Sequence, residues 1–210
     1  MHILIACDQE YYDKWGIELL KSTRYYNPHN WLNLHCHIVN PRLGFEQVKD
    51  VYYSTEEYSS PSIQYLQTVR YLVTAATLPT EQVMILDADT VCTREFSQQD
   101  FNNVTANVTV LKHHKQAALH TWLCGLVTLG TGNFRHEFAD KLSSLPVSSW
   151  TYGHDQDVLN SLSDKYSFNK APSEWICMGK QNLESVFLTL KGDKHKLNPK
   201  YTNQFERYKF

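Results

Sequence analysis

At 210 residues the chain has the length of one domain with room for a substantial core, and 20 Lys plus Arg against 22 Asp plus Glu leave a net charge of −2. That balance gives no global field to draw the protein to nucleic acid or to an anionic membrane, so a partner has to be recognised locally. Five cysteines (Cys7, Cys36, Cys92, Cys124 and Cys177) lie far apart, odd in number and without a Cys-x-x-Cys pair, which argues against a zinc ribbon or a disulfide framework and for a reducing compartment.

The sequence opens on Ile3-Leu4-Ile5 with no basic leader, and no apolar run approaches membrane-spanning length. The expectation is a cytoplasmic protein without a transmembrane segment, in which the acceptor patterns Asn103-Val104-Thr105 and Asn107-Val108-Thr109 stay unglycosylated. His2 to Cys7 reads as the first strand, and Asp8 to Tyr12 as a polar, aromatic loop of the kind on which function sits. From Asp13 to Tyr26, Trp15, Ile17, Leu19, Leu20 and Tyr26 recur with helical spacing until Asn27-Pro28 stops the helix. Leu32 to Val39 predicts a second strand. Its His35 and His37 share a face, but with no third ligand nearby they are read as structural. Residues 40–62 read as irregular apart from a short strand at Val51-Tyr52-Tyr53. Pro61 then opens a helix from Ser62 to Leu78 that carries Ile63, Leu66, Val69, Leu72, Val73 and Ala76 at helical spacing. Arg70 inside it is either a surface ion pair, worth little, or a clamp on a diphosphate or a metal-site carboxylate.

Val83-Met84-Ile85-Leu86 suits a strand buried on both faces, and it runs into Asp87-Ala88-Asp89-Thr90. Along a strand, Asp87 and Asp89 point to one side and Ala88 to the other. Anions so close push each other's pKa upward, a divalent cation relieves the repulsion, and oxygen-only ligands favour Mg²⁺ or Mn²⁺. The same tripeptide also suits an ordinary turn, so the rest of the chain has to decide.

Val91 to Phe101 reads as a loop, and Val104, Ala106, Val108 and Val110 alternate as a strand with one buried face. Lys112-His113-His114-Lys115 reads as a solvated turn. Trp122 to Gly130 is another buried strand, whose glycines permit a close approach or a tight turn. Phe134 to Leu145 is helical, a loop follows to Gly153, and His154-Asp155-Gln156-Asp157-Val158-Leu159-Asn160 starts the next helix with Asp155 as a candidate cap. Capping does not account for the glutamine. Four lysines with Gly192 and His195 cluster between Lys191 and Lys200, either a solvated basic turn or a phosphate clamp.

Taken in order, these motifs resemble the GT-A fold glycosyltransferases, closest to the glycogenin and bacterial lipooligosaccharide galactosyltransferase family. Ala6-Cys7-Asp8-Gln9-Glu10-Tyr11 resembles the family's Ala-x-Asp-x-x-Tyr base-binding loop, Arg70 its arginine before the metal strand, Asp87-Ala88-Asp89 its Asp-x-Asp, and His154 to Asn160 its Asp-Gln-Asp-x-Leu-Asn. Leu123-Cys124-Gly125 resembles the sugar-side strand, with leucine and cysteine in place of the usual polar neighbours. The resemblance implies an α/β fold, a single GT-A, Rossmann-like domain over residues 1–210 with a mostly parallel central sheet flanked by helices. Residues 1–90 would form the nucleotide-binding half and 91–210 the sugar and acceptor half. It implies nucleotide contacts from Ala6, Asp8, Tyr11, Arg70, Asp87 and Lys194, and sugar or acceptor contacts from Arg70, Ala88, Cys124, Gly125, Asp155 and Gln156. Asp155, Gln156 and Asp157 would be catalytic, and Asp87, Asp89 and His195 would hold Mn²⁺ or Mg²⁺. One departure is that the family has a histidine three residues before a glycine, followed by Lys-Pro-Trp. Here Thr189 precedes Gly192 and Lys-Pro-Trp is missing, so His195 is the candidate third ligand.

The function expected is metal-dependent transfer of a hexose-type sugar from a nucleoside diphosphate donor, a UDP-sugar, to a glycan or glycoprotein acceptor with retention. Three alternatives remain open. An inverting transferase would use Asp155 or Asp157 as general base. A haloacid-dehalogenase-like phosphatase would use Asp87 as nucleophile and Asp89 as acid/base, since Asp87 to Val91 also fits Asp-x-Asp-x-Thr/Val. A non-catalytic sugar-binding domain would use the 13% aromatic content for stacking.

Overall fold

A computed structural model of the chain describes residues 1–113, 120–178 and 185–189. Its centre is β1 (His2–Asp8), buried on both faces as the apolar run predicts. Ile3, Ile5 and Cys7 pack with Leu34, Cys36 and Ile38 of β2 (Asn33–Val39) and with Leu19 and Leu20, while Leu4 packs on the other side with Val83, Ile85 and Tyr71. The alternation of β1 therefore decides which residues each covering helix meets.

The helical stretch after β1 begins earlier than expected. Asp8 caps α1 (Gln9–Tyr11) by accepting the Tyr11 N–H at 2.8 Å, and a π-helical turn (Tyr12–Gly16) leads into α2 (Ile17–Tyr26). The loop predicted at Asp8 to Tyr12 is thus mostly helix, because the Asp8 carboxylate satisfies one of the orphan amides of the first turn. β3 (Val51–Glu56) follows, then α3 (Ile63–Thr77) capped by Ser62, then β4 (Val83–Leu86).

The central sheet has seven strands in the order β3-β2-β1-β4-β7-β6-β8. β1 pairs in parallel with β2 and β4, and β2 with β3. β7 (Trp122–Leu129) pairs antiparallel with both β4 and β6 (Thr109–Lys112), and β8 (Asn169–Lys170) lies parallel to β6. Among the described strands of the central sheet β7 alone runs against the rest. The chain moves from β1 outward to β2 and β3 and then returns to β4 on the other side, so the crevice outside the carboxyl ends of β1 and β4 is the place where open α/β sheets hold ligands.

Two expectations are corrected between β4 and β7. Thr90–Cys92 is a strand, β5, and Gln98–Thr105 is a helix, α4. Val104 and Thr105 lie in α4, and strand structure begins only at Thr109. A capping box explains the helix: Ser97 accepts the Asp100 N–H and Asp100 accepts the Ser97 N–H, each at 3.1 Å, and Phe101, Val104 and Thr105 form a buried helical stripe. β5 pairs antiparallel with β10 (Phe187–Thr189), which lies parallel to β9 (Ile176–Met178) in a second, three-stranded sheet. α5 (Phe134–Ser143) and α6 (His154–Ser161) cover the face of the central sheet that α3 covers. No helix among the described residues is long and apolar enough to cross a membrane.

Arg135 on α5 is 1% exposed and donates to the carbonyls of Leu78, Glu81, Leu129 and Gly130, so one guanidinium joins the end of α3, the approach to β4 and the end of β7. Arg135→Met should lower unfolding free energy by about 3 kcal/mol, because hydrogen bonds from a charged donor are worth roughly 1.5–3 kcal/mol and their buried acceptors lose their partner. Urea unfolding with an unchanged midpoint would show that these carbonyls find other donors.

Candidate active site

β4 ends at Leu86, and Asp87, Ala88 and Asp89 form the turn into β5. The two acids are therefore not alternate residues of one strand, as the sequence suggested. The turn brings them together, with the Asp87 N–H donating to the Gly125 carbonyl of β7 at 3.2 Å and Ala88 buried in the core behind them.

Each acid is joined to a different neighbour. The Tyr11 hydroxyl donates to Asp89 Oδ2 at 2.9 Å, and burial followed by the charges of Asp89 and Asp87 raises the Tyr11 phenol well above its ordinary range. Arg70 Nη1 donates to Asp87 Oδ1 at 2.5 Å and Nη2 to Asp155 Oδ2 at 3.4 Å. The arginine is 5% exposed; burial works against its charge, but Tyr71, Asp87 and Asp155 hold it protonated. The sequence left Arg70 between a surface ion pair and a clamp on a diphosphate or a carboxylate; the structure buries it on two carboxylates.

Asp155 does not cap α6. Gly153 occupies that position with φ 82°, a left-handed conformation suited to glycine, and the Asp155 carboxylate accepts the N–H of Gln156 at 2.9 Å. Asp155 is 2% exposed. Burial raises its pKa, Arg70 pulls it back, and Asp87 pushes it up again. Cys124 is buried against it, and burial together with Asp155 keeps that thiol protonated, so it offers no thiolate nucleophile. The half-buried Gln156 follows, and among the described residues no hydrogen bond engages its side-chain amide. Asp157 points elsewhere: its Oδ1 lies 2.7 Å from His120 Nε2.

The structure brings Tyr11, Asp87, Asp89, Arg70, Asp155 and Gln156 to one end of the sheet, with Asp8 at the start of α1 and Cys124 and Gly125 on β7. Ala6 lies beneath, packed with Val39, Tyr65, Val69 and Trp150. Lys194 and His195 lie outside the described residues. Thr189, which stands where the family resemblance expects histidine, faces Thr90 across the β5–β10 pair, one residue from Asp89. The oxygen donors of Asp87 and Asp89 fit Mg²⁺ or Mn²⁺, and no group of three His, Cys, Asp or Glu gathers among the described residues. A cleft of about 880 Å³ lined by Lys21, Arg24, Tyr25 and Tyr52 lies at the other end of the sheet, by the amino ends of β2 and β3. Sequence reasoning passed over His120, which precedes β7 in a segment without helical or strand pattern and meets Asp157 only through the fold.

No family model matches the chain, and no curated protein matches it. Solved structures do. The glycosyltransferase GlyE of Streptococcus pneumoniae TIGR4 superposes with a TM-score of 0.67 at 14% identity, over 99% of this chain and 60% of its own. The galactosyltransferase LgtC, in complex with donor and acceptor sugar analogues, superposes with a TM-score of 0.70 at 14% identity, over 99% of this chain and 95% of its own. The chain has the GT-A glycosyltransferase fold. The bifunctional glycosyltransferase WbbM also superposes, with a TM-score of 0.70 at 12% identity over 99% of this chain. The chain thus spans nearly the whole of LgtC, but 60% of GlyE and 49% of WbbM.

Arg70→Met should cost about 3–5 kcal/mol of stability, because it strands two carboxylates beside an apolar side chain. It also removes the cation that holds Asp155 down, so Asp155 should titrate at higher pH than in the wild type. A carboxyl with a folded-state pKa above its unfolded value binds its proton more tightly when folded. Stability is therefore lost as pH rises from the unfolded value through the folded one, and the loss should extend to higher pH in the variant. Urea unfolding at a series of pH values checks this; parallel pH profiles would show that Arg70 does not set the state of Asp155.

Proposed function

We propose that the chain is a glycosyltransferase that moves a hexose from a UDP-sugar to a glycan acceptor with retention, using a divalent cation. The observation that carries this reading is the Arg70 bridge between Asp87 on the acidic turn and Asp155 at the start of α6. Together with the Tyr11–Asp89 hydrogen bond it gathers the candidate base loop, metal turn and Asp-Gln-Asp helix outside the carboxyl ends of β1 and β4.

In this reading the Tyr11 ring supports the uracil and Asp8 reads its edge, through the carboxylate oxygen that does not cap α1. Asp87 and Asp89, oriented by Arg70 and Tyr11, would hold the cation, and Lys194 and His195 are proposed to close the diphosphate end. Bound Mn²⁺ or Mg²⁺ would offset the negative charge that develops on the leaving diphosphate. Ala6, Ala88, Cys124 and Gly125 would form the buried floor beneath the donor, and Asp155 binds sugar hydroxyls from its fixed place on Arg70. Gln156 directs its amide dipole at the cation-like anomeric carbon. An LgtC structure of an active-site variant in which glutamine is replaced by glutamate supports giving that residue type a place in such a site. A phosphatase reading gains no support, since the fold is shared with glycosyltransferases.

The test is a panel of UDP- and GDP-sugars with Mn²⁺, followed for hydrolysis, transfer and anomeric configuration of the product. Phosphate release from simple phosphomonoesters with no need for a sugar nucleotide, and without sugar transfer, would overturn the reading. Asp89→Asn should abolish Mn²⁺-dependent donor turnover while unfolding stays cooperative; normal turnover would exclude Asp89 from the centre. Tyr11→Ala should weaken UDP binding by the ~1–3 kcal/mol typical of stacking between a base and an aromatic ring. Tyr11→Phe keeps the ring and should lose less, and equal calorimetric affinities for all three proteins would remove Tyr11 from the base pocket.

A further inference from the structure

The cleft by the amino ends of β2 and β3 belongs to no part of the site described above, which lies outside the carboxyl ends of β1 and β4. Its volume of about 880 Å³ falls within the range of ligand pockets, roughly 300–1,000 Å³. We propose that this cleft is a glycan-binding site separate from the transfer centre, and that it takes an oligosaccharide carrying a carboxylate sugar; the choice of a glycan over other anions rests in part on the transferase reading above.

The aromatic lining points to a sugar. Tyr25, near the end of α2, and Tyr52, on β3, are 62% and 61% exposed, and both line this one cleft. Tyr52 is not a loose ring. It faces His35 across the β2–β3 pair, and the two rings stack with centroids 5.1 Å apart and planes 20° apart. His35 is held in turn by His2, whose Nδ1 lies 2.8 Å from His35 Nε2. One face of Tyr52 is thus backed, and its exposure belongs to the other. A pyranose ring presents C–H groups that pack on such a face, while its hydroxyls call for donors and acceptors at the side. Asn30 and Asn33 also line the cleft, and a carboxamide supplies both kinds of group.

The charges point to a carboxylate. Lys21, Arg24 and Lys49 line the cleft against Asp50. Lys21 is already paired with Glu46 at 2.9 Å. Arg24 donates from Nη1 to the Leu32 carbonyl at 2.9 Å and from Nη2 to the Asp50 carbonyl, so it braces the start of β2 against the approach to β3. Its Nε is buried without a hydrogen-bond partner, and Arg24 makes no ion pair among the described residues. With Lys21 and Glu46 cancelling, Arg24 and Lys49 against Asp50 leave one positive charge in excess. That matches a single carboxylate and falls well short of neutralising a run of nucleic-acid phosphates.

A glycan with a uronic- or sialic-acid residue meets these demands together: a ring face for Tyr52, hydroxyls for Asn30 and Asn33, and an anion for Lys49 and Arg24. A chain held there leaves the donor crevice at the other end of the sheet unoccupied, so holding and transfer are separable.

The experiment measures binding to the full chain by ligand-observed NMR titration, with excess UDP present, for two matched pairs: cellobiouronic acid against cellobiose, and sialyllactose against lactose. Each acid should bind more tightly than its neutral counterpart, and the preference should fade as salt is added. Tyr52→Ala should weaken binding of the acids roughly two- to tenfold, the loss expected for one aromatic packing contact. Lys49→Gln should narrow the gap between acid and neutral sugar without changing the affinity for the neutral one. Should Tyr52→Ala fail to fold, Tyr25→Ala on α2 takes its place with the same expected loss. Binding of neither acid, equal binding within each pair, unchanged affinities in the variants, or tighter binding of a short oligothymidylate would each overturn the proposal. Sugar transfer by a wild type that binds no acidic glycan would leave the transferase reading standing without this site. Acid binding that the variants weaken, in a protein that transfers no sugar from any donor, would remove the transferase reading and leave the cleft.

Discussion

A buried guanidinium cannot remain charged without anionic partners, and a buried carboxylate cannot remain ionised without a cation. Arg70, Asp87 and Asp155 meet those needs together, and in doing so they tie α3, the turn after β4 and the start of α6 to one point. The position of every other group at the site follows from that tie. Asp89 is set by its distance from Asp87, Tyr11 by its bond to Asp89, and Gln156 by its place after Asp155. Removing both carboxylates and the arginine for apolar residues could leave a stable fold, which suggests that the triad serves placement more than stability.

What could be read in the sequence was whatever depends on near neighbours. The apolar run Val83 to Leu86 showed a buried strand, the acids after it showed a possible oxygen-ligand site, and the spacing around Asp155 showed a helix start with a glutamine that capping did not explain. The errors came from local patterns that fit two periods. Val104, Ala106, Val108 and Val110 alternate like a strand, but Ser97 and Asp100 form reciprocal caps and Val104 falls on the buried stripe of the helix they start. The strand argument for Asp87 and Asp89 failed because the chain turns at Ala88 to pair β5 with β10, a strand from near the far end of the described chain.

Long-range partners were not legible. That the second carboxylate on Arg70 lies 85 residues away, and that Asp157 meets a histidine 37 residues away, depends on helix packing over the sheet, which residue spacing does not record. The fold itself was recognisable only as a sequence of motifs, since the solved structures named share no more than 14% of residues with the chain. At that distance, burial pattern and topology persist after most side chains have changed.

The reversed direction of β7 has a consequence for how such a protein can diversify. A parallel strand would reach this end of the sheet with its last residues, after its register had been set. β7 arrives with its first residues, so Thr121 and Trp122 lie towards the crevice while the ladder with β4, from Leu126 to Leu129, sits well downstream. Exchanges at Thr121 and Trp122 can therefore remodel the rim without shifting the strand that supports the acidic turn. In evolutionary terms the rim and the floor are separable modules, and new binding preferences can be sampled on a floor that stays in place.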